Sequence, residues 1–355
     1  MSKFEKLFEV MPEGIDCALI TADVNRRYFT GMKSSAGTIV AFKDKAYLII
    51  DSRYFEVASL TVKDAEVILQ GKLFEQINEL ITKHGAKTVA IESDWVTVSQ
   101  LNAFKERITA AEVVSSNALS EAIGELRIVK TQDEIDRMIK AQRIAEEAFE
   151  NVLNFIKVGV TEKEVGLFLD YYMLQHGAEA LSFETIALTG ANTSRPHGVG
   201  GDTKVTEHSF VLMDFGATYD GYHSDMTRTV CVGTPTDKMA EVYNVVLNAQ
   251  VESIKQIKAG AKGSDIDKIA RDIITEAGYG DCFGHSLGHG VGLEIHETPN
   301  SAPSSKHIFK ENMIVTDEPG IYLPGEFGVR IEDFVIVKEN GCVNMTEAPK
   351  SLIIL

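Results

Sequence analysis

Several features that would assign a sequence to a class at once are missing from this chain. Its 355 residues include only four cysteines, Cys17, Cys231, Cys282 and Cys342, with no CxxC pair. This excludes a disulfide framework and is typical of free thiols in the cytosol. Basic residues are scarce, since 35 Lys and Arg stand against 52 Asp and Glu, and the net charge of −17 argues against nucleic acid or an anionic membrane surface as a partner. No apolar run is long enough to cross a bilayer, and the first residues lack the apolar core of a secretory signal. We therefore expect a cytoplasmic protein that binds neither nucleic acid nor membrane.

The first part of the chain alternates strand and helix signals, as in an α/β domain. The spacing predicts a helix over Leu73–His84 that stops at Gly85, because glycine commonly ends helices. A domain boundary is expected near Leu126, which divides the chain into residues 1–125 and 126–355, and the length allows a smaller and a larger domain. Strands are predicted at Cys17–Thr21, Gly37–Phe42, Ala46–Asp51 and Thr88–Glu92.

The remainder of the chain predicts an α+β domain with two pairs of helices, each followed by strands. Thr131 and Glu134 form a capping box, in which the threonine caps the helix and the glutamate reaches back. Thr161 and Glu164 repeat this pattern, and the apolar residues after the first box keep helical spacing. The four helices are predicted to begin at Thr131, at Thr161, at about Asp237 and after Ser264, and to run to Ile156, to just before Gly177, to Lys258 and to Gly278.

The segment from Asp214 to Asp225, DFGATYDGYHSD, predicts a β-hairpin with a carboxylate on each arm. Asp220-Gly221 is a strong signal for a two-residue type I′ turn, because both central positions need positive φ. Centring the turn there places Asp214 opposite Thr227 and puts both aspartates on one face, with their backbones about 7–8 Å apart. Two carboxylates on adjacent strands suit a cation site, although a solvated hairpin with two surface acids has the same pattern.

Further polar residues downstream point to the same kind of site. Glu318 follows an apolar run and precedes a Pro-Gly pair, so it is expected where a strand turns out. In VRIEDFVIV, Glu332 and Arg330 share the polar face of a predicted half-buried strand. A glycine-rich stretch, GHSLGHGVGLEIHE, lies between the hairpin and these acids, and its histidines are His285, His289 and His296.

Two other chemistries match parts of the glycine-rich stretch. GHSLG has the G-x-S-x-G form of a serine nucleophile elbow at Ser286, but that motif needs a helix directly after the serine and an aspartate before the last histidine. The glycines that follow would weaken a helix, and no aspartate separates Ser286 from the last histidine, His307. His285 and His289 are spaced as in a zinc-protease helix, but HExxH is absent and the same glycines deny that helix. Hydrolysis through Ser286 is retained as the alternative.

The remaining interpretation is a carboxylate-rich metal site. Its candidates are one imidazole and four carboxylates, whose charge two divalent cations neutralise, whereas a single cation would leave a costly buried excess. Oxygen-dominated sites favour Mn²⁺ or similar ions. Two cations about 3.5–4 Å apart share a water, lower its pKa and deliver hydroxide at neutral pH. Amide hydrolysis is the natural use of such a site, with a neighbouring acid moving a proton to the leaving nitrogen. The four carboxylates are Asp214, Asp225, Glu318 and Glu332.

In this order and spacing, the motifs DFGATYDGYHSDMTRT, GHSLGHGVGLEIHE, VTDEPGIY and VRIEDFVIV resemble the pita-bread metallopeptidases, in the Xaa-Pro aminopeptidase and Xaa-Pro dipeptidase (prolidase) branch. The likeness covers the whole chain, more weakly over residues 1–125, which resemble the creatinase-type amino-terminal domain. It implies a pita-bread (creatinase/aminopeptidase-like) α+β catalytic domain preceded by the smaller α/β domain. It also implies a dinuclear-metal exopeptidase that hydrolyses the N-terminal Xaa-Pro bond of dipeptides or short peptides through a hydroxide bridging the metals.

The resemblance assigns a role to each matching residue. Asp214 would bind one metal, His289 and Glu318 the second, and Asp225 and Glu332 would bridge the pair. Glu318 would also carry the proton. His296 matches the histidine that steadies the scissile carbonyl, and His197 matches one that lines the substrate cleft. His285 and Arg330 match positions that contact the substrate or support the site. The implied cofactors are two divalent cations, foremost Mn²⁺, with Co²⁺ or Zn²⁺ as alternatives.

Proline specificity comes from the resemblance, and its physical logic is that a bond to proline lacks the N–H that other peptidases grip. A proline-containing di- or oligopeptide substrate and a homodimer are implied in the same way. Three functions stay open at this point: the exopeptidase, a serine hydrolase using Ser286, and a catalytically inactive peptide-binding module on the same fold. The sequence leaves open whether a dipeptidase or an aminopeptidase is the better description.

Overall fold

The computed structural model describes all 355 residues, which form two compact units, Met1–Arg127 and Ile128–Leu355. The first unit thus ends at Arg127, where the sequence predicts residue 125. None of the helices combines the length and the apolar composition that a membrane crossing requires.

The amino-terminal unit is a six-stranded mixed sheet with helices around it. Its strands are Cys17–Ile20 (β1), Thr38–Phe42 (β2), Ala46–Ile50 (β3), Glu66–Leu69 (β4), Thr88–Ile91 (β5) and Glu112–Val114 (β6). Its helices are Lys3–Val10 (α1), Asp23–Thr30 (α2), Phe55–Thr61 (α3), Leu73–His84 (α4), Val98–Arg107 (α5) and Ala118–Ile128 (α6). The strand order is β4-β3-β2-β1-β5-β6. The central strands are apolar and buried throughout, as expected of a sheet covered on both faces.

The sequence predicts this unit closely. All four expected strands are present, each one residue shorter at one end than predicted, and α4 has both expected ends. Gly85 ends α4 with φ of 66°, a left-handed conformation that glycine adopts without steric cost. The burial of Ile77 and Ile81 on α4 against the sheet gives this helix its apolar face.

The carboxy-terminal unit combines four helices with several small sheets. Its helices are Gln132–Val152 (α7), Glu162–Gln175 (α8), Asp237–Ile254 (α9) and Gly263–Glu276 (α10). Its first strands are Ala180–Leu181 (β7), Ile186–Thr189 (β8), Ser209–Phe215 (β9), Ala217–Tyr219 (β10), Tyr222–His223 (β11) and Met226–Val232 (β12). The later strands are Gly288–Gly290 (β13), Glu297–Ser301 (β14), Ile314–Asp317 (β15), Gly320–Leu323 (β16), Phe327–Arg330 (β17), Asp333–Lys338 (β18) and Gly341–Asn344 (β19).

Both predicted capping boxes are present, at the starts of α7 and α8. Two predicted helix ends are wrong for one reason. Helix α7 stops at Val152 and α9 at Ile254, yet Ile156 and Ile257 remain buried, because hydrogen-bonded turns after each helix carry these side chains into the core. An apolar residue at helical spacing is therefore no proof that the helix continues. Helix α10 begins at Gly263 and not after Ser264.

The hairpin that the sequence predicts is formed in the expected register. Asp220 and Gly221 have φ of 46° and 86°, the positive values that a type I′ turn needs at both positions. Tyr219 pairs with Tyr222, and further along β9 and β12 Asp214 pairs with Thr227. Strand β9 is the central strand of the sheet β12-β9-β8, so the hairpin extends from a buried sheet.

The second half of this unit is the five-stranded sheet β14-β13-β15-β18-β19. Its middle strands, β15 and β18, are buried along almost their whole length and pack, with α9 and α10, into one apolar core. A second core lies between α7, α8 and the sheet that contains β9. Functional side chains at the ends of these strands are thus held by rigid elements.

Candidate metal centre

The hairpin brings Asp214 and Asp225 to one end of a buried sheet. Asp214 lies on β9, and Asp225 directly precedes β12; both side chains are largely buried. The glycine between them has a steric reason, because a Cβ at Gly216 would overlap the carbonyl of Ser224 on the opposite arm. The close approach of the two arms therefore requires glycine at this position.

His289 and Glu318 come from the other sheet and are linked by Thr316. The Thr316 hydroxyl accepts a hydrogen bond from His289 N at 3.0 Å and donates one to Glu318 Oε1 at 3.3 Å. A Cβ at Gly288 would overlap the carbonyl of Thr316, so β13 can approach β15 only with glycine there. The Nδ1 atom of His289 faces the carbonyl of Gly290 at 3.0 Å, so Nδ1 carries the proton and the Nε2 lone pair is left for a ligand.

Glu332 is fixed at both its side chain and its backbone. Thr227 donates a hydrogen bond to Glu332 Oε2 at 2.7 Å, and Glu332 N donates to the Thr227 carbonyl at 3.1 Å. The expected half-buried strand is wrong, because Val329, Arg330, Ile331 and Glu332 are all buried and the strand β17 ends at Arg330. The polar side chains of this segment line a cavity and are themselves buried.

The predicted ligands meet in that cavity. Ligand atoms of Asp225, His289 and Glu332 all lie within 4.8 Å of one another. His289 Nε2 is 3.5 Å from Asp225 Oδ2 and 3.5 Å from Glu318 Oε1. The cavity has a volume of about 590 Å³. Every residue assigned from the sequence lines it: Asp214, Asp225, His289, Glu318 and Glu332, together with His197, His285, His296 and Arg330.

The charge of the cavity is strongly unbalanced. Burial raises the pKa of Asp225, Glu318 and Glu332 well above their ordinary values, and repulsion between neighbouring carboxylates adds to this, whereas the Arg330 guanidinium opposes it.

Burial lowers the pKa of His289 to about 4, so its imidazole is neutral at pH 7 and needs to lose no proton to bind a metal. Asp214 Oδ1 is buried without a hydrogen-bond donor. An oxygen-rich set of donors with an unpaired carboxylate oxygen fits divalent cations.

Arg330 and Tyr322 support this acidic cluster. Arg330 Nη2 lies 2.5 Å from Asp214 Oδ2, and its other nitrogens donate to the Tyr322 hydroxyl at 2.9 Å and to the Thr227 hydroxyl at 3.0 Å. The Tyr322 hydroxyl is also 2.8 Å from Nε2 of His285. Burial lowers the pKa of His285 to about 4, and the nearby Arg330 charge lowers it further, so His285 is neutral too. His285 therefore supports the arginine and tyrosine and lies at the cavity wall.

His296 and His197 are exposed side chains at the cavity. The rings of His296 and His289 are in edge contact, with centroids 4.4 Å apart. His197 lies in the loop after a short 3₁₀ turn, Gly190–Ser194. Neither histidine has the buried environment of the ligand cluster, so both remain accessible to a molecule in the cavity.

Several residues of this site were missed from the sequence. Thr227 donates to the Glu332 carboxylate and Thr316 to the Glu318 carboxylate. Each threonine lies two residues from a predicted ligand, Asp225 or Glu318, and in extended chain this spacing places the two side chains on one face. Tyr322 gave no comparable signal. An apolar wall of the cavity, formed by Phe183, Ile186, Val199 and Ile295, also had none, because these residues come from three separate segments of the chain.

The structure does not provide what a serine nucleophile elbow at Ser286 requires. Ser286 is exposed, and the chain after it continues through a single residue, Leu287, into strand β13 and not into a helix. The hydrogen bond between His285 Nδ1 and the carbonyl of Ser286 leaves the serine hydroxyl without that histidine as a base. GHSLG is therefore not a nucleophile elbow.

Comparison with known proteins agrees with this geometry. Residues 136–339 match the family model described as metallopeptidase family M24, and residues 5–129 match that of the creatinase/prolidase N-terminal domain. The chain is 42% identical over 355 residues to an uncharacterized peptidase, YqhT, of Bacillus subtilis (strain 168), covering 99% of this chain and 100% of that one.

Two solved structures are similar over nearly their whole length. One is an Xaa-Pro dipeptidase from Bacillus anthracis, with a TM-score of 0.95 and 42% identity, covering 99% of both chains. The other is an X-Pro aminopeptidase from Thermotoga maritima, with a TM-score of 0.92 and 36% identity, covering 99% of this chain and 100% of that one. These matches confirm the predicted pita-bread catalytic fold with a creatinase-type amino-terminal domain. The chain therefore belongs to metallopeptidase family M24.

Proposed function

We propose that this metallopeptidase is an exopeptidase that hydrolyses the N-terminal Xaa-Pro bond of dipeptides or short peptides with two bound divalent cations. The observation that supports this most is the convergence of Asp225, His289 and Glu332, whose ligand atoms lie within 4.8 Å of one another in a cavity large enough for a small peptide. The unpaired Oδ1 of Asp214 is a further oxygen in the same cavity that lacks a partner.

Asp214, Asp225, His289, Glu318 and Glu332 would hold the cations, with Asp225 and Glu332 shared between them. Four carboxylates balance two divalent cations in charge, which removes the cost of burying them together. When bound, the cations would act as Lewis acids toward the scissile carbonyl and would lower the pKa of a water molecule. We propose Mn²⁺, with Co²⁺ and Zn²⁺ as alternatives, because most of the donors are carboxylate oxygens.

Glu318 is the proposed proton carrier. Its side chain is 17% exposed and therefore reaches the cavity. One carboxylate oxygen, Oε1, accepts the Thr316 hydroxyl, which leaves Oε2 to take a proton from the attacking water and pass it to the leaving nitrogen. A carboxylate held by one oxygen on a rigid strand end is well placed for this transfer.

The remaining cavity residues would bind the peptide. His296 and His197 are accessible and would donate hydrogen bonds to the scissile carbonyl oxygen and to the bound peptide. The apolar wall of Phe183, Ile186, Val199 and Ile295 would contact the proline ring, which offers carbon surface and no N–H. Hydrophobic contact on one side and metal ligands on the other would present the bond before proline to the reacting groups.

The similar structures support Xaa-Pro hydrolysis but differ in the length of substrate that their names state. One is an Xaa-Pro dipeptidase and the other an X-Pro aminopeptidase, and both cover nearly the whole chain. We therefore propose the shared chemistry and leave the length to measurement. A homodimer, a cytoplasmic location and a division into residues 1–125 and 126–355 belong to the same proposal; the four unpaired cysteines are compatible with a reducing compartment.

The test is hydrolysis of Ala-Pro and Ala-Pro-Ala by metal-free protein refilled with Mn²⁺, followed by chromatography of the products. We expect release of alanine from at least one peptide, little activity from Asp225→Ala, and full activity from Ser286→Ala. If no proline peptide is cut with Mn²⁺, Co²⁺ or Zn²⁺, the proposed function is wrong. Activity that survives a chelator but is lost in Ser286→Ala would favour the serine hydrolase instead.

A further inference from the structure

His296 lies at the end of a loop, residues 291–296, that wraps around the side chain of Glu297. A Cβ at Gly292 would overlap the Glu297 carboxylate, so a larger residue there would displace that group. Glu297 Oε1 also accepts a hydrogen bond from the backbone N–H of Glu294 at 3.1 Å. The conformation of this loop is therefore built around one buried carboxylate.

Lys130 is the cation that faces this carboxylate. Its Nζ lies 2.9 Å from Glu297 Oε2, and the two side chains are only 2% and 7% exposed. The lysine backbone is itself anchored, since Lys130 N donates to the Asn312 carbonyl at 2.9 Å. Lys130 directly precedes Thr131, the capping residue of α7. The ion pair thus joins the loop with His296 to the beginning of a long rigid helix.

The beginning of the same helix also contacts the aspartate hairpin. Glu134, in the first turn of α7, accepts a hydrogen bond from the Tyr222 hydroxyl at 2.8 Å. The hairpin and the loop touch directly as well, because His223 N donates to the Gly292 carbonyl at 2.9 Å. One helix start therefore holds two segments of the cavity that are far apart in sequence.

We propose that Lys130 is a positioning residue that fixes His296 against the substrate through Glu297. Replacing a buried ion pair with apolar side chains is often neutral or favourable for stability, so stability alone gives little reason for a charge at this depth. The pair instead gives the loop one defined position, and a displacement of about 1 Å in a substrate-contacting group costs much of its effect on the reaction. The role rests on the proposed function, in which His296 contacts the scissile carbonyl.

The test is a double-mutant cycle with Lys130→Met and His296→Ala, measured on the proline peptide that the wild-type protein cuts. We expect Lys130→Met alone to lower kcat by about tenfold or more with little change in KM, because a transition-state contact is lost. In the His296→Ala background the same substitution should have almost no further effect, because the two residues act through one contact. Mn²⁺ affinity, measured by calorimetry on metal-free protein, should stay unchanged.

Lys238→Met is the matched control, because it removes the lysine of an exposed pair with Glu326 and should leave kcat, KM and Mn²⁺ affinity unchanged. Circular dichroism and thermal melting establish that each variant is folded at the assay temperature. If Lys130→Met does not fold, Glu297→Gln enters the same cycle, since it removes the charge but keeps the shape and an oxygen acceptor.

Either of two results would overturn the inference: wild-type kcat in the Lys130 or Glu297 variant, or an equal loss in both His296 backgrounds. Failure of the wild-type protein to cut any proline peptide would contradict the proposed function instead. The two failures are therefore distinguishable.

Discussion

Arg330 Nη2 lies 2.5 Å from Asp214 Oδ2, while the other oxygen of the same carboxylate, Oδ1, is buried and has no hydrogen-bond donor. The guanidinium thus occupies one oxygen of the aspartate and leaves the other oxygen unpaired. An arginine can therefore lie beside the proposed cation site without using both oxygens of this carboxylate.

Replacing Arg330 by methionine should destabilise the protein, since it leaves the Asp214 charge buried and removes the hydrogen bonds to Tyr322 and Thr227. Removing one partner of a buried pair typically costs about 3–5 kcal/mol. Urea unfolding of the metal-free protein measures this loss, with Lys238→Met as an exposed control that should unfold like the wild type. An unchanged unfolding free energy for Arg330→Met would show that the pair is not essential to the fold.

Metal-free protein should become less stable as the pH rises above about 7. In that range His285 and His289, whose pKa values burial lowers to about 4, are neutral in the folded and the unfolded chain and do not oppose the trend. The pKa values of Asp225, Glu318 and Glu332 are raised in the folded protein, chiefly by burial. A group whose pKa is higher when folded stabilises fully below its unfolded pKa, about 4 for a carboxyl, and loses that contribution as the pH rises through the folded value. Thermal melting across this range should show the decline, and Mn²⁺ should reverse it at neutral pH.

The control for this pH dependence is Glu332→Gln, which carries no titrating group at that position and should decline less. Asp333 does not confound the comparison. Burial would raise its pKa, but Arg228 and Lys350 overcome this and hold the pKa below its ordinary value, so its contribution is lost only at more acidic pH. Equal slopes in the wild type and Glu332→Gln would contradict the proposed origin of the effect.

Substituting lysine for Arg228 should weaken both the fold and the metal site. All five guanidinium N–H groups of Arg228 are used: they donate to the carbonyls of Thr227, Glu332, Ala348 and Pro349 and to the Asp333 carboxylate. An ammonium group cannot reproduce this planar fork. We expect a loss of about 2–4 kcal/mol in unfolding free energy and weaker Mn²⁺ binding by calorimetry, because the backbone of Glu332 loses its clamp. Wild-type Mn²⁺ affinity in this variant would argue against the clamp.

The sequence predicts the aspartate hairpin because one local signal decides it. The Asp220-Gly221 turn sets the register, and the register then fixes which residues face Asp214 and Asp225. The helix starts at Thr131 and Thr161 are predicted equally well. Each capping threonine accepts a hydrogen bond from a backbone N–H only three residues further along the chain. Local chemistry of this kind needs no knowledge of the rest of the fold.

Other parts of the site could not be predicted, because the decisive neighbours are distant in sequence. Alternation of Arg330 and Glu332 with apolar residues has the form of a strand with one face in solvent, but both side chains are buried and line the cavity. Alternation alone cannot distinguish water from a buried polar site. Tyr322 and the apolar wall around Phe183 are likewise defined only by the folded chain.

Calorimetric titration of metal-free protein with Mn²⁺ measures whether these acids and one imidazole bind two divalent cations. We predict two Mn²⁺ ions bound per chain in the wild type, and a clear loss of binding in Asp225→Ala, whose carboxylate lies within reach of both His289 and Glu332. No Mn²⁺ binding to the wild type, or undiminished binding of two ions to Asp225→Ala, would contradict this prediction.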